Sequence, residues 1–142
     1  MIPANYKPHL RHSPLTQPWE PLFAKETETA VFLGVEIREA HCNARGFAHG
    51  GLLSALADNA MGLSAVRQAR ATQANEKISA LTVSLSLDFL DTASIGDFLE
   101  IKPELLKLGK TLAFVDCRIV CGERLVARGS ASFRMVSSKS TG

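Results

Sequence analysis

At 142 residues the chain is long enough for one domain with a sizeable core and too short for two. Hydrophobic residues make up 46% and charged residues 21%, the proportions of an ordinary globular chain. A net charge of +2 is too small for a nucleic-acid backbone or an anionic membrane, no apolar run is long enough to span a bilayer, and residues 1–21 lack a signal-peptide core, so a cytoplasmic protein with neither partner is expected.

The lead-in over residues 1–21 carries Pro3, Pro8, Pro14, Pro18 and Pro21, which deny it a long helix and predict extended or short-helical chain. A first short strand is expected over residues 22–25. Residues 30–39 alternate Val31, Leu33, Val35 and Ile37, the pattern of a half-buried strand. A turn at Asn43 to Gly46 then delivers the chain to His49, Gly50 and Gly51. From Gly50 to about Arg70 the Ala- and Leu-rich pattern predicts one long helix, followed by a polar connection over residues 68–77.

Residues 78–90 give the clearest strand pattern, with Leu81, Val83, Leu85, Leu87 and Phe89 on one face and Thr82, Ser84, Ser86 and Asp88 on the other. Residues 97–108 predict the next strand, where Pro103 demands an edge or a bulge. Gly109-Lys110 predicts a tight hairpin, residues 111–121 alternate again, and Gly122-Glu123 makes another turn. The last strand covers residues 124–136, and residues 137–142 form a polar tail. The core domain is therefore expected over residues 22–136. It is α+β, a curved antiparallel sheet wrapped around one long central helix.

Three cysteines, Cys42, Cys117 and Cys121, form no C-x-x-C pair. An odd count speaks against a disulfide frame or a zinc ribbon. On one strand Cys117 and Cys121 would stand about 13 Å apart, too far to bridge. His41, Cys42 and His49 lack the spacing of a ligand set, so no metal and no cofactor are expected.

The chemistry is concentrated between Asn43 and Asp58. Glycines at 50 and 51 suit a helix start where backbone must come close to another group. The first amides of that helix lack internal partners and carry the positive end of the dipole, a ready site for an oxygen that becomes negative. Asp58 is a poor mid-helix residue. By helical periodicity Leu52, Leu56 and Leu63 share one face, and Asp58 lies opposite with Ser54, Ala55, Gly62 and Ala65. Small neighbours let a second molecule approach the carboxylate. Asp58 follows Gly50 by eight residues, or roughly 12 Å along the axis. One substrate can engage both only if a second copy supplies one of them, as antiparallel helices about a two-fold axis would do.

Asn43, Gly46, His49, Gly50, Gly51 and Asp58, in the pattern N-x-x-G-x-x-H-G-G with Asp eight residues after the first Gly of the pair, resemble the hotdog-fold thioesterases of the phenylacetate-pathway (PaaI-like) type. The resemblance runs from about Phe32 to Met135. It implies hydrolysis of an acyl-coenzyme A. Asp58 would act as general base or nucleophile, the Gly50 amide would hold the thioester oxygen, His49 would polarise the thioester, Asn43 would position water or substrate, and Thr82 would help hold the water. It also implies sites shared between protomers of a homodimer that assembles to a homotetramer.

Plainer roles compete for the same residues. Asn43 can serve as a turn residue, His49 as a helix-start residue, and Asp58 as a solvated helix residue. Ser84, two positions on and on the same predicted face, rivals Thr82. Arg67, Arg70, Lys110, Arg128 and Arg134 are candidates for the phosphates of coenzyme A or for a solvated rim. Two other activities fit less well. A hotdog hydratase or dehydratase would carry a Pro-Gly run into the helix, which is missing here. An acyl-thioester sensor would need a DNA-binding extension that the short, Pro-rich lead-in does not supply.

Overall fold

The computed structural model describes residues 2–73 and 77–137. Seven antiparallel strands run in the order β1-β2-β3-β5-β6-β7-β4. These are β1 Lys7–Pro8, β2 Phe23–Glu26, β3 Val31–Glu36, β4 Ile78–Phe89, β5 Phe98–Leu108, β6 Leu112–Cys121 and β7 Arg124–Ser137. The helix α1 spans Gly50–Gln73 and packs against β3, β4, β5, β6 and β7, so the sheet wraps it as a hotdog fold. Helical structure therefore runs through Gln73, into the stretch whose composition predicts a polar connection. The remainder of that connection includes residues 74–76, outside the described residues.

The helix buries more of its circumference than a leucine stripe suggests. Leu52, Leu53, Leu56, Ala57, Ala60, Met61, Ser64, Ala65 and Ala69 are all buried. Ala65 thus belongs to the core and not to the Asp58 side, while Leu63 is only half-buried. Small side chains let strands close in from several directions, and the buried arc becomes broad. Ser64 is fully enclosed because its hydroxyl bonds the Val31 amide at 3.0 Å and the Ala60 carbonyl at 2.8 Å, joining helix to β3.

The lead-in enters the sheet. Lys7 and Pro8 pair with Ala24 and Phe23. Tyr6 is buried, donates to Glu100 Oε2 at 2.8 Å and sets its ring edge-on to Phe98. The Arg38 guanidinium holds the Pro18 and Glu20 carbonyls.

Pro103 sits on an inner strand. Its pairing with Cys117 occupies one side, and the register with β3 runs only as far as Ile101, so no ladder partner needs its missing N–H on the other side. A bulge follows between Leu105 and Lys107. The β5–β6 connection runs over residues 109–111, one longer than a two-residue hairpin, with Gly109 N–H bonding the Leu112 carbonyl at 2.7 Å. Gly122-Glu123 is a two-residue hairpin, with Gly122 at φ +61°.

Strand β4 departs most from its sequence pattern. It is the terminal strand of the sheet and is exposed over most of its length. A bulge between Thr82 and Ser84 breaks its alternation. Thr82 lies opposite the buried Phe133, on the face toward the helix, whereas Ser84 lies opposite Ser132. One inserted residue reverses the facing of all that follows. Leu81, opposite Arg134, is therefore turned away from the face shared by Leu85, Leu87 and Phe89, and its exposure is 55%.

Candidate active site

The start of α1 is built around His49. Its N–H donates to the His41 carbonyl at 2.9 Å, and its carbonyl accepts the Leu53 amide at 3.1 Å, the first helical bond. Its ring turns back so that Nδ1 accepts the Gly51 amide at 2.8 Å. The neutral ring then carries its proton on Nε2, as an exposed donor. No acceptor among the described residues meets the Gly50 amide. The tip thus presents the Gly50 amide as an open backbone donor at the positive end of a 24-residue helix.

Both glycines are set by neighbours. A Cβ on Gly50 would stand 3.3 Å from Cζ of Phe89, whose ring comes from the end of β4. A Cβ on Gly51 would stand 3.0 Å from His49 Nδ1. The His-Gly-Gly run is therefore a packing requirement for a ring folded onto its own helix start.

The loop before the tip is held by Asn43 and His41. Asn43 Oδ1 accepts the amides of Arg45 at 2.9 Å and Phe47 at 3.2 Å, and Gly46 takes φ +83° to close the turn. Its Nδ2 meets no acceptor among the described residues. His41 is buried with both ring nitrogens on backbone: Nδ1 accepts the Arg38 amide at 3.0 Å and Nε2 faces the Trp19 carbonyl at 2.8 Å. Burial lowers its pKa, the Trp19 carbonyl opposes that, and Arg38 adds to the lowering. With its ring so occupied His41 is no metal ligand, and no cluster of three His, Cys, Asp or Glu side chains suited to a metal occurs among the described residues. Cys42, Cys117 and Cys121 are all free thiols, and burial pushes the Cys117 thiol up to about 11.

Asp58 lies half-buried in the middle of α1. The Thr82 hydroxyl donates to its Oδ1 at 2.6 Å. Ser84 is no rival, because the bulge turns it away and its hydroxyl bonds that of Ser132 at 2.6 Å. Asp58 and Thr82 open onto a cleft of about 190 Å³ between α1 and β4. Helix and strand thus bring two of the five expected residues together. The other three, Asn43, His49 and Gly50, gather at the helix tip, roughly 12 Å away along the axis.

Among the basic residues, Arg67 bonds the Thr27 carbonyl and pairs with Glu26, and Arg128 pairs with Asp88. Arg70 lines the Asp58 cleft, joined by Arg11 from the lead-in. Nothing in the sequence marks Arg11, since it sits in a proline-broken segment with no periodicity and reaches the cleft only because β1 crosses to β2.

The model of the thioesterase superfamily matches residues 45–128, the stretch that carries the helix tip, Asp58, Thr82 and most of the sheet. The chain belongs to the thioesterase superfamily. It is 38% identical over 135 residues to a Pseudomonas aeruginosa protein whose name assigns it esterase activity by inference, covering 94% of this chain and 97% of that one. It is 31% identical over 101 residues to acyl-coenzyme A thioesterase 13 of Homo sapiens, covering 70% and 68%. Among solved structures, the phenylacetic acid degradation protein PaaI of Thermus thermophilus superposes with a TM-score of 0.74 at 23% identity, covering 86% and 98%. A hypothetical thioesterase of Streptococcus pneumoniae, solved with coenzyme A, does so with a TM-score of 0.74 at 23%, covering 86% and 94%. At those identities the two structures establish the hotdog fold, and the superfamily makes the chain a thioester hydrolase.

Proposed function

We propose that this chain hydrolyses an acyl-coenzyme A to the free acid and coenzyme A, at sites completed between two protomers of a homodimer that pairs further into a tetramer. The observation that carries it is the 2.6 Å bond from Thr82 to Asp58. It fixes one carboxylate oxygen and leaves Oδ2 without a partner among the described residues, free to take a proton. The names of the human relative and of the pneumococcal structure with coenzyme A support the substrate class.

In this reading Asp58 accepts a proton from water as the water oxygen bonds the thioester carbon. The carbonyl oxygen becomes an oxyanion and is held by the open Gly50 amide of the other protomer, where the helix dipole stabilises it. His49 Nε2–H donates to the same oxygen or to the substrate beside it. Asn43 fixes the loop with its oxygen and offers its free Nδ2 to water or substrate. The C–S bond then breaks, the carbonyl re-forms, and the thiolate takes the proton from Asp58. No metal or cofactor enters any step.

The need for two protomers follows from the separation of Asp58 and Gly50. Support comes from β4, an unpaired edge with Leu81, Val83, Phe89 and Leu90 between 50% and 61% exposed. An apolar edge strand invites pairing with another copy.

The test is release of thiol from acyl-coenzyme A, read with a thiol reagent. Asp58→Asn should lower kcat by about a hundredfold or more with the melting temperature unchanged. Turnover that survives Asp58→Asn removes Asp58 from its role, and tight binding of acyl-coenzyme A with no thiol released makes the protein a sensor.

A further inference from the structure

The cleft beside Asp58 continues away from the helix tip. Beyond the carboxylate its lining adds apolar Leu63, Val66, Ile78 and Phe133, polar Asn59 and Ser79, and two arginines, Arg11 and Arg70. Neither guanidinium has a hydrogen bond or ion pair among the described residues, as is also true of Arg45, Arg118 and Arg134, but only Arg11 and Arg70 line this cleft. Asp58 is the sole acid in the lining among the described residues, and Thr82 already holds it.

Arg11 and Leu63 also line a second cavity of about 650 Å³ beneath the lead-in, so the two spaces adjoin. Its wall adds Lys7 and His9, and the one acid there among the described residues, Glu26, faces Arg67 at 3.4 Å. The Nε2 of His9 is buried without any hydrogen-bond partner. Burial is also the main cause that lowers the pKa of this ring, which favours its neutral form. A buried polar atom without a partner is costly unless a ligand completes it.

Resting on the hydrolase reading above, we infer that this pocket takes the acyl tail and that Arg11 and Arg70 select an acyl group ending in a carboxylate. A hydrocarbon segment can lie against Leu63, Val66, Ile78 and Phe133. The chain-matched comparison below separates a tail carboxylate from a coenzyme phosphate as the anion bound there. The reach agrees. Arg70 lies twelve residues beyond Asp58, roughly 18 Å along the axis. Long helical side chains lean back toward the N-terminus, which shortens that gap to the span of a medium-length chain.

The experiment uses chain-matched thioesters, hexanoyl against adipyl and octanoyl against suberyl coenzyme A. The carboxylated member of at least one pair should show a kcat/KM about tenfold higher or more, the yield of one charge-assisted contact. Arg11→Ala and Arg70→Ala, both at exposed positions, should each lower that ratio about tenfold. A preference for the neutral member overturns the inference. So does an equal loss on both members, which would place the arginines on coenzyme A itself. Non-hydrolysable thioether analogues with the same tails, titrated by calorimetry, report the ratio without turnover. Tail preference without hydrolysis would remove the hydrolase and keep the pocket; hydrolysis without tail preference would do the reverse.

Discussion

His49 Nδ1 takes the amide hydrogen of Gly51 across 2.8 Å, so the ring caps the helix that follows it and turns its other nitrogen outward. The contact depends on the missing Cβ of Gly51, which would stand 3.0 Å from Nδ1 and 3.1 Å from Cε1. Gly51→Ala therefore separates stability from activity. Alanine is the better helix residue by up to about 1 kcal/mol, which offsets the lost bond from the Gly51 amide to the ring, so the melting temperature should change little. The ring must swing off the amide, and kcat should fall about tenfold or more. A variant as active as the parent would show that the ring's orientation does not matter to the reaction.

The bulge in β4 makes a second prediction. Thr82→Val keeps the shape and loses the donor to Asp58. A hydrogen bond to a charged group is worth about 1.5–3 kcal/mol, so kcat should fall about ten- to a hundredfold, and Thr82→Ser should recover most of it. Ser84→Ala should leave kcat alone, because Ser84 bonds Ser132 on the other face. Reversed effects at the two positions would mean that β4 has slipped its register.

What could be read ahead of the structure follows from where the signals are local. The strand alternation of residues 31–37, the helix from Gly50 and the turn at Gly122 come from neighbouring residues, and each lies where its pattern puts it. The pairing of Thr82 with Asp58 was legible only as a resemblance, because the bulge that chooses Thr82 over Ser84 is set by β7 across the ladder. The exposure of Leu81 was hidden for the same reason, since an unbroken apolar alternation implies a buried face. Arg11 and Ser64 were silent. One is brought to the cleft by the path of the lead-in, and the other is buried because it completes the Val31 amide on a different element.

Acid should destabilise the fold through His41. Burial, the largest cause, holds its folded pKa below the ordinary 6.5, so in the window beneath 6.5 the unfolded chain binds a proton that the folded chain refuses. Its contribution is fully present above about pH 6.5 and is lost as the pH falls toward the folded value. His9 is lowered as well, again chiefly by burial, and adds to the same slope. Melting temperatures between about pH 7 and pH 5 should drop, and the drop should be shallower in His41→Gln. Activity should fall over the same range, because the His41 carbonyl holds the amide of His49. An unchanged slope in His41→Gln would assign the acid sensitivity elsewhere.

Subunit complementation tests the proposed sharing of the site between protomers directly. Asp58→Asn chains keep an intact helix tip, and His49→Ala chains keep an intact carboxylate. Each homodimer alone should be nearly inactive. If one protomer's tip works with its partner's acid, a mixed dimer contains one site with both groups intact and one with neither. Mixing the two variants equally, with unfolding and refolding to exchange chains, should then restore about a quarter of the parental rate, because about half the dimers are mixed and each has one working site of two. Val83→Lys on the exposed β4 edge should abolish this recovery by keeping protomers apart, with the far-ultraviolet dichroism of the fold retained. If tip and acid of one chain met within that chain, every mixed dimer would hold two broken sites and mixing would restore nothing, since each protomer would carry its own defect wherever its partner came from.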